Sequence, residues 1–157
     1  MKPGTFTQMY VHIVFAVKNR DALLTKKIQD RVFSYISKII TESKHKSIIV
    51  NGTDNHVHIL LGINPAVSIS DTVHAIKRSS SLFINRERLC SNRFAWQEGY
   101  GGFTCSRTQL DIVYKYIQNQ ESHHRDIKFK DEYVSLLIEN HVEFESQFLF
   151  NSLEDNV

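Results

Sequence analysis

The stretch Val50 to Ile63, VNGTDNHVHILLGI, decides how the chain folds. Asn51-Gly52 is a hairpin turn signal, and an apolar run follows it. In a strand, side chains alternate faces, so His56, His58 and Leu60 share one face while Val57, Ile59 and Leu61 share the other. The second face is purely aliphatic and reads as core. The first carries two imidazoles about 7 Å apart, from a rise of about 3.3 Å per residue. That spacing suits two ligands on one metal ion. It also suits a half-exposed strand with incidental histidines, because His-x-His is short and common.

Working outward, Phe6 to Val17 reads as a strand and Ser47 to Val50 as a short partner for His56 to Ile63. Thr25 caps a helix to Glu42, with Ile28, Val32, Tyr35 and Ile36 on one stripe. Ser70-Asp71 starts a second helix to about Leu89. Phe94 to Trp96 and Phe103 to Cys105 read as short strands, Ser106 to Gln120 as a third helix, and Asp131 to Asn140 as a last one. The order β-α-β-β-α-β predicts an α+β, ferredoxin-like split βαβ antiparallel sheet with helices on one face. The aliphatic face lies under the helices, and the histidine face is expected to stay open.

Length predicts one domain over 157 residues: a core over 1–130, then a C-terminal helix and acidic tail over 131–157. All 19 Lys and Arg fall within residues 1–130, with 10 of the 17 acids; the other seven acids follow. A basic body is compatible with nucleic acid, although surface lysines usually serve solubility. Two cysteines exclude a disulfide framework and fit a reducing cytosol. No run has the length of a membrane span, and Met1 to Tyr10 lacks a signal-peptide layout.

The second helix and its exit carry Lys77, Arg78, Arg86, Arg88 and Arg93 against Glu87, as either a phosphate-binding face or a solvated one. Ser79-Ser80-Ser81 would allow a backbone or a phosphate to approach. Trp96, Tyr100 and Phe103 are core or a stacking platform for bases, core being the commoner use. In the third helix, Ile112, Val113, Tyr116 and Ile117 share a stripe, and Gln120 falls on it. A glutamine there needs a partner, because an unpaired buried amide costs roughly 1–3 kcal/mol. A backbone group would serve, as would a metal or a phosphate. A phenol, with a free pKa of about 10, attacks a phosphate only where a cation polarises it. The histidine pair, Gln120 and Tyr116 together describe phosphoryl transfer to tyrosine.

Those residues carry a resemblance. The chain is similar to the single-tyrosine HUH transposases of bacterial insertion sequences and their REP-associated tyrosine transposase relatives. HUH denotes His, a bulky apolar residue, His; here it is His56-Val57-His58, within Asp54 to Leu61. Tyr10 to Arg20, Phe94 to Phe103, and Tyr116 to Gln120 followed by His123-His124 also match. The resemblance implies an HUH endonuclease palm. Tyr116 would cleave single-stranded DNA at hairpins near element ends, keeping a 5′-phosphotyrosine and freeing a 3′-OH. His56, His58 and Gln120 would hold Mg²⁺ or Mn²⁺. From the charge of the second helix, not from the resemblance, Lys77, Arg78, Arg86 and Arg88 are expected to contact phosphates. The resemblance further implies a bacterial, cytoplasmic homodimer whose site is shared between subunits, while the residues themselves leave assembly within one chain or across two open. A non-catalytic single-strand-binding module is the alternative. A zinc hydrolase on His56 and His58 would need a third ligand, for which Asp54 is the one neighbour.

Overall fold

In the computed structural model, residues 3–149 are described. Phe150, Glu154 and Asp155 of the acidic tail lie outside them. The strands are β1 (Tyr10–Ala16), β2 (Lys46–Gly52), β3 (His56–Gly62) and β4 (Gly101–Cys105). They form one antiparallel sheet in the order β2-β3-β1-β4. The helices are α1 (Lys26–Glu42), α2 (Ile69–Arg86), α3 (Leu110–Gln118), α4 (Gln120–His123) and α5 (Phe129–Glu139). This is the α+β sandwich that the element order predicts. Among the described residues no helix is long and apolar enough to cross a membrane.

The alternation in β3 sets the layers. Val57, Ile59 and Leu61, with Ile13 and Phe15 of β1, pack under Val32, Ile36 and Ile40 of α1 and Val73, Ile76 and Ile84 of α2. The α2 N-terminus is capped by Ser68, whose Oγ accepts from the Asp71 N–H at 3.0 Å. The opposite face is not open. Ile117 of α3 packs there on Leu60, Tyr10 and Cys105. Phe129 and Leu137 of α5 pack on Val14, Ala16 and Phe103. Helices therefore cover both faces, and the histidines lie beneath the second layer.

Three local expectations change. Asn51 and Gly52 are the last residues of β2, paired with His58 and Val57, and the turn is Thr53 to Asn55. A Cβ on Gly52 would stand 2.1 Å from the His56 carbonyl oxygen, so glycine is needed there for close approach, not for a turn. Phe94 to Trp96 contributes a single bridge, Val17 to Trp96, and no strand. Trp96 is core. It packs edge-on to Phe15 and Phe94, and its Nε1 donates to Ser80 Oγ at 2.9 Å. Ser80 is thereby buried against protein and unavailable to a phosphate.

Candidate metal and tyrosine centre

His56 and His58 are both fully buried. The reason is local. Their face of β3 is roofed by three short pieces, α3, α4 and α5, each too short to cover it alone. Asn51 of β2 ties down the first of these, its Nδ2 donating to the Ile117 carbonyl at 2.9 Å and the Gln118 carbonyl at 3.2 Å. The helix then breaks at Asn119, with φ −94° and ψ 20°, and restarts at Gln120. Val113 and Ile117 turn inward, whereas Ile112 points to solvent at 71% exposure.

Gln120 is fully buried, with Oε1 3.0 Å from His56 Nε2 and Nε2 donating to Glu132 Oε2 at 3.1 Å. Tyr116 is half-buried. Its ring centroid is 5.7 Å from that of His58, and its hydroxyl donates to Glu132 Oε2. Within one chain, the structure thus brings together His56, His58, Gln120 and Tyr116.

Two residues that the sequence reading assigned no role complete the cluster. Glu132, in the first turn of α5, has Oε1 2.9 Å from His58 Nε2, 3.4 Å from His56 Nε2 and 3.0 Å from His124 Nε2. His56, His58, His124 and Glu132 each offer a ligand atom, all within 4.8 Å of one another. The pattern held a signal for Glu132. Phe129, Tyr133, Leu136 and Leu137 form the apolar stripe of α5, and Glu132 is an acid lodged in it, as Gln120 is an amide lodged in the stripe before. Asp54, the sequence candidate for a third ligand, is outside this group and belongs to the turn before β3.

Electrostatics separate the groups. Burial lowers His58 to about 4 and His12, which shares a 2.8 Å hydrogen bond with His58 Nδ1, to about 3. Burial lowers His56 too. Burial opposes ionisation of Glu132, but the imidazoles of His124, His56 and His58 outweigh it and hold the carboxyl far below the usual range. Burial, then the Glu132 carboxylate, raises the Tyr116 phenol above its ordinary value. The site therefore sets a carboxylate held in its ionised form beside a phenol that resists ionisation.

Beside the cluster opens a cleft of about 630 Å³ that reaches His124 and Phe129. Arg20, Lys26, Arg125, Lys128 and Lys130 line it. The basic residues of the second helix lie elsewhere, since α2 covers the aliphatic face of the sheet. Arg78, Arg86 and Arg88 are exposed there. Lys77 is committed to the fold, donating to the Gln97 carbonyl at 2.7 Å and to that of Gly99, with burial lowering its pKa to about 8.

Residues 5–120 match the family described as "Transposase IS200 like". The chain belongs to the IS200-like transposase family. A crystal structure of a candidate transposase from Deinococcus radiodurans R1 is similar at a TM-score of 0.58 and 24% identity, over 76% of this chain and 96% of that one. A REP-associated tyrosine transposase bound to a REP hairpin is similar at a TM-score of 0.58 and 13% identity, over 79% of this chain and 74% of that one. At these identities the two share the fold. No curated protein matches the sequence.

Proposed function

We propose that this transposase cleaves and rejoins single-stranded DNA at hairpins through a 5′-phosphotyrosine link on Tyr116. The observation that carries the reading is the convergence of Tyr116, His56, His58 and Gln120 on one buried point next to an open basic cleft. A neighbour in fold was solved with a REP hairpin, which supports the choice of DNA.

The residues divide the work. The Tyr116 oxygen attacks the scissile phosphorus; the Oη–P bond forms, the P–O3′ bond breaks, and the leaving oxygen takes a proton to become a 3′-OH. Glu132 Oε2 accepts the phenol's hydrogen bond and holds its proton along the line of transfer. His56, His58 and Gln120 fit Mg²⁺ or Mn²⁺, and the buried His124 Nε2, without a hydrogen-bond partner among the described residues, points to a group that the cluster is built to receive. Such a cation supplies the charge that makes the phosphodiester attackable. The strand would run through the cleft past Arg125 and Lys128. Arg78, Arg86 and Arg88 would take phosphates of the hairpin stem on the far face of the sheet, and Lys77 would support the loop beneath.

The tyrosine helix of each chain lies against that chain's own histidines, which supports a site complete within one subunit. A homodimer with a shared site would need α3 to α5 to cross to the partner. Mixing a Tyr116→Phe chain with a His56→Ala chain distinguishes the two, since only a shared site restores cleavage.

The test of chemistry is incubation with single-stranded hairpin DNA from beside the gene and Mn²⁺. A covalent adduct is expected, lost in Tyr116→Phe while DNA binding remains. DNA binding without an adduct from any such hairpin would leave a single-strand-binding module. His124 and Glu132 supply the third ligand that a zinc hydrolase would need, and zinc-dependent ester hydrolysis indifferent to Tyr116→Phe would establish that reading instead.

A further inference from the structure

We infer that the cation of this site is held by three imidazoles and a carboxylate, His56, His58, His124 and Glu132, and that Gln120 orients these ligands from behind. The inference rests on the reading above, that a divalent cation serves the Tyr116 centre. His124 and Glu132 lie beyond residue 120, where the match to the family ends, so membership does not assign them.

His124 Nδ1 lies 2.8 Å from the Ile127 carbonyl oxygen, which can only accept, so Nδ1 is the N–H and Nε2 carries the lone pair. His56 Nδ1 lies 2.7 Å from Asn55 Oδ1, and the Thr53 hydroxyl also donates to that oxygen. Thr53 Oγ1 is also 2.9 Å from His56 Nδ1, so either nitrogen of that ring can carry the hydrogen. The His124 lone pair stands beside Glu132 Oε1, an acceptor. Gln120 Oε1, a further acceptor, is 3.0 Å from His56 Nε2. Acceptors crowded together in a buried site repel unless positive charge lies among them.

A cation among these atoms supplies that charge. The geometry favours it. His124 Nε2 is 3.0 Å from Glu132 Oε1 yet is not aligned to donate to it or to any described partner. Nitrogen and oxygen address a common third point. Separations of 2.9, 3.0 and 3.4 Å from Glu132 Oε1 to the three Nε2 atoms are those of neighbouring ligands at roughly 2.1 Å from one ion. The outer partners, Asn55, the Ile127 carbonyl and His12, each fix one ring by its other nitrogen, as metal-bound imidazoles require.

Gln120 takes a supporting place. Its amide nitrogen donates to Glu132 Oε2, and that same oxygen accepts from Tyr116. Glu132 would then face the ion with one oxygen and the nucleophile with the other, coupling the position of the phenol to occupancy of the site. Three nitrogens and one carboxylate favour Mn²⁺ strongly over Mg²⁺, which prefers an all-oxygen shell.

The experiment uses the full chain and Mn²⁺ alone. Pulsed electron paramagnetic resonance of the bound ion should report three coupled imidazole nitrogens, a count that needs no variant to fold. Calorimetric titration should show Glu132→Gln and His124→Gln each weakening Mn²⁺ binding at least about tenfold, and Gln120→Leu weakening it less than about threefold. Two coupled nitrogens would overturn the inference, as would Gln120→Leu losing the ion while Glu132→Gln stays within twofold of the parent. Adduct formation on Tyr116 is scored separately. A Tyr116 adduct with two nitrogens keeps the transposase reading and rejects this ligand set. Three nitrogens without an adduct does the reverse.

Discussion

Tyr116 gives its hydroxyl hydrogen bond to Glu132, sixteen residues further along the chain, and thereby to a carboxylate that three buried or nearly buried histidines also face. A phenol so placed is fixed in orientation and discouraged from ionising, because burial and the neighbouring anion both favour its protonated form. Glu132→Gln keeps the size of the side chain but removes the acceptor of the proton. We expect adduct formation to slow between about 10²- and 10⁴-fold, with hairpin binding unchanged. A rate within threefold of the parent would remove Glu132 from the chemistry.

Cation binding should be visible as stability. A ligand at 100 times its Kd adds about 2.7 kcal/mol to folding, which in a chain of this size is roughly 5–10 °C in Tm. Mn²⁺ should produce a rise of that order, Mg²⁺ a smaller one at equal concentration, and a chelator should reverse both. The His56→Ala/His58→Ala double variant should show no rise with either ion. Calorimetric melting with and without Mn²⁺ provides the measurement.

Gly52 faces the His56 carbonyl oxygen so closely that a methyl group has no room. Gly52→Ala should force β2 away from β3 at the point where the first histidine sits. A loss on the order of 3 kcal/mol is expected in urea unfolding, together with weaker Mn²⁺ binding. A variant of parental stability would mean that the hairpin adjusts more freely than its register implies.

His45 has no part in the candidate site and offers a separate check on the fold. Its Nδ1 accepts from the Asn64 N–H at 2.8 Å, and its Nε2 lies 2.8 Å from Thr72 Oγ1, which donates to the Ser68 carbonyl. Nε2 is therefore the donor, and the ring is neutral. Burial lowers its pKa from 6.5. The unfolded chain takes up this proton first, so the contribution is fully present above pH 6.5 and is lost as pH falls toward the lowered folded value. His45→Gln, which can both accept and donate, should flatten that part of the pH dependence of the urea midpoint between 7 and 5. An unaltered slope would show the ring to be exposed to protonation in the folded state.

Salt dependence should sort the basic residues. Losing one phosphate contact to single-stranded DNA reduces the slope of log K against log salt by about 0.7. Arg125→Gln and Lys128→Gln, in the cleft, should each show it, and Arg78, Arg86 and Arg88 should show up to about 0.9 each where a duplex stem crosses α2. Lys77→Met should lower stability and leave the slope alone, since its ammonium is engaged by two carbonyls. A change confined to Lys77 would reverse that assignment.

The sheet was legible because alternation is a strong constraint. Val57, Ile59 and Leu61 on one side and the histidines on the other admit one orientation of β3, and α1 and α2 follow from their apolar stripes. The roof over the histidines was not legible as a roof. The segments 110–118, 120–123 and 129–139 are each too short for periodicity to say which surface they seek. Gln120 drew notice because an amide in an apolar stripe demands a partner. Glu132 answers to the same rule, read as one more acid in an acidic C-terminal region. Asn-Gly suggested a turn at 51–52, but the close approach to His56 kept that glycine inside the strand.

Asn51 joins the two halves of the candidate site. One carboxamide on the edge strand grips the carbonyls that end the tyrosine helix, and the same hairpin, a few residues on, supplies His56 and His58. The proposed nucleophile and the proposed metal ligands are thus hung from a single β-ribbon, and their relative alignment is inherited from its register. Loosening that grip, as in Asn51→Ala, would uncouple the two halves of the proposed reaction without touching either.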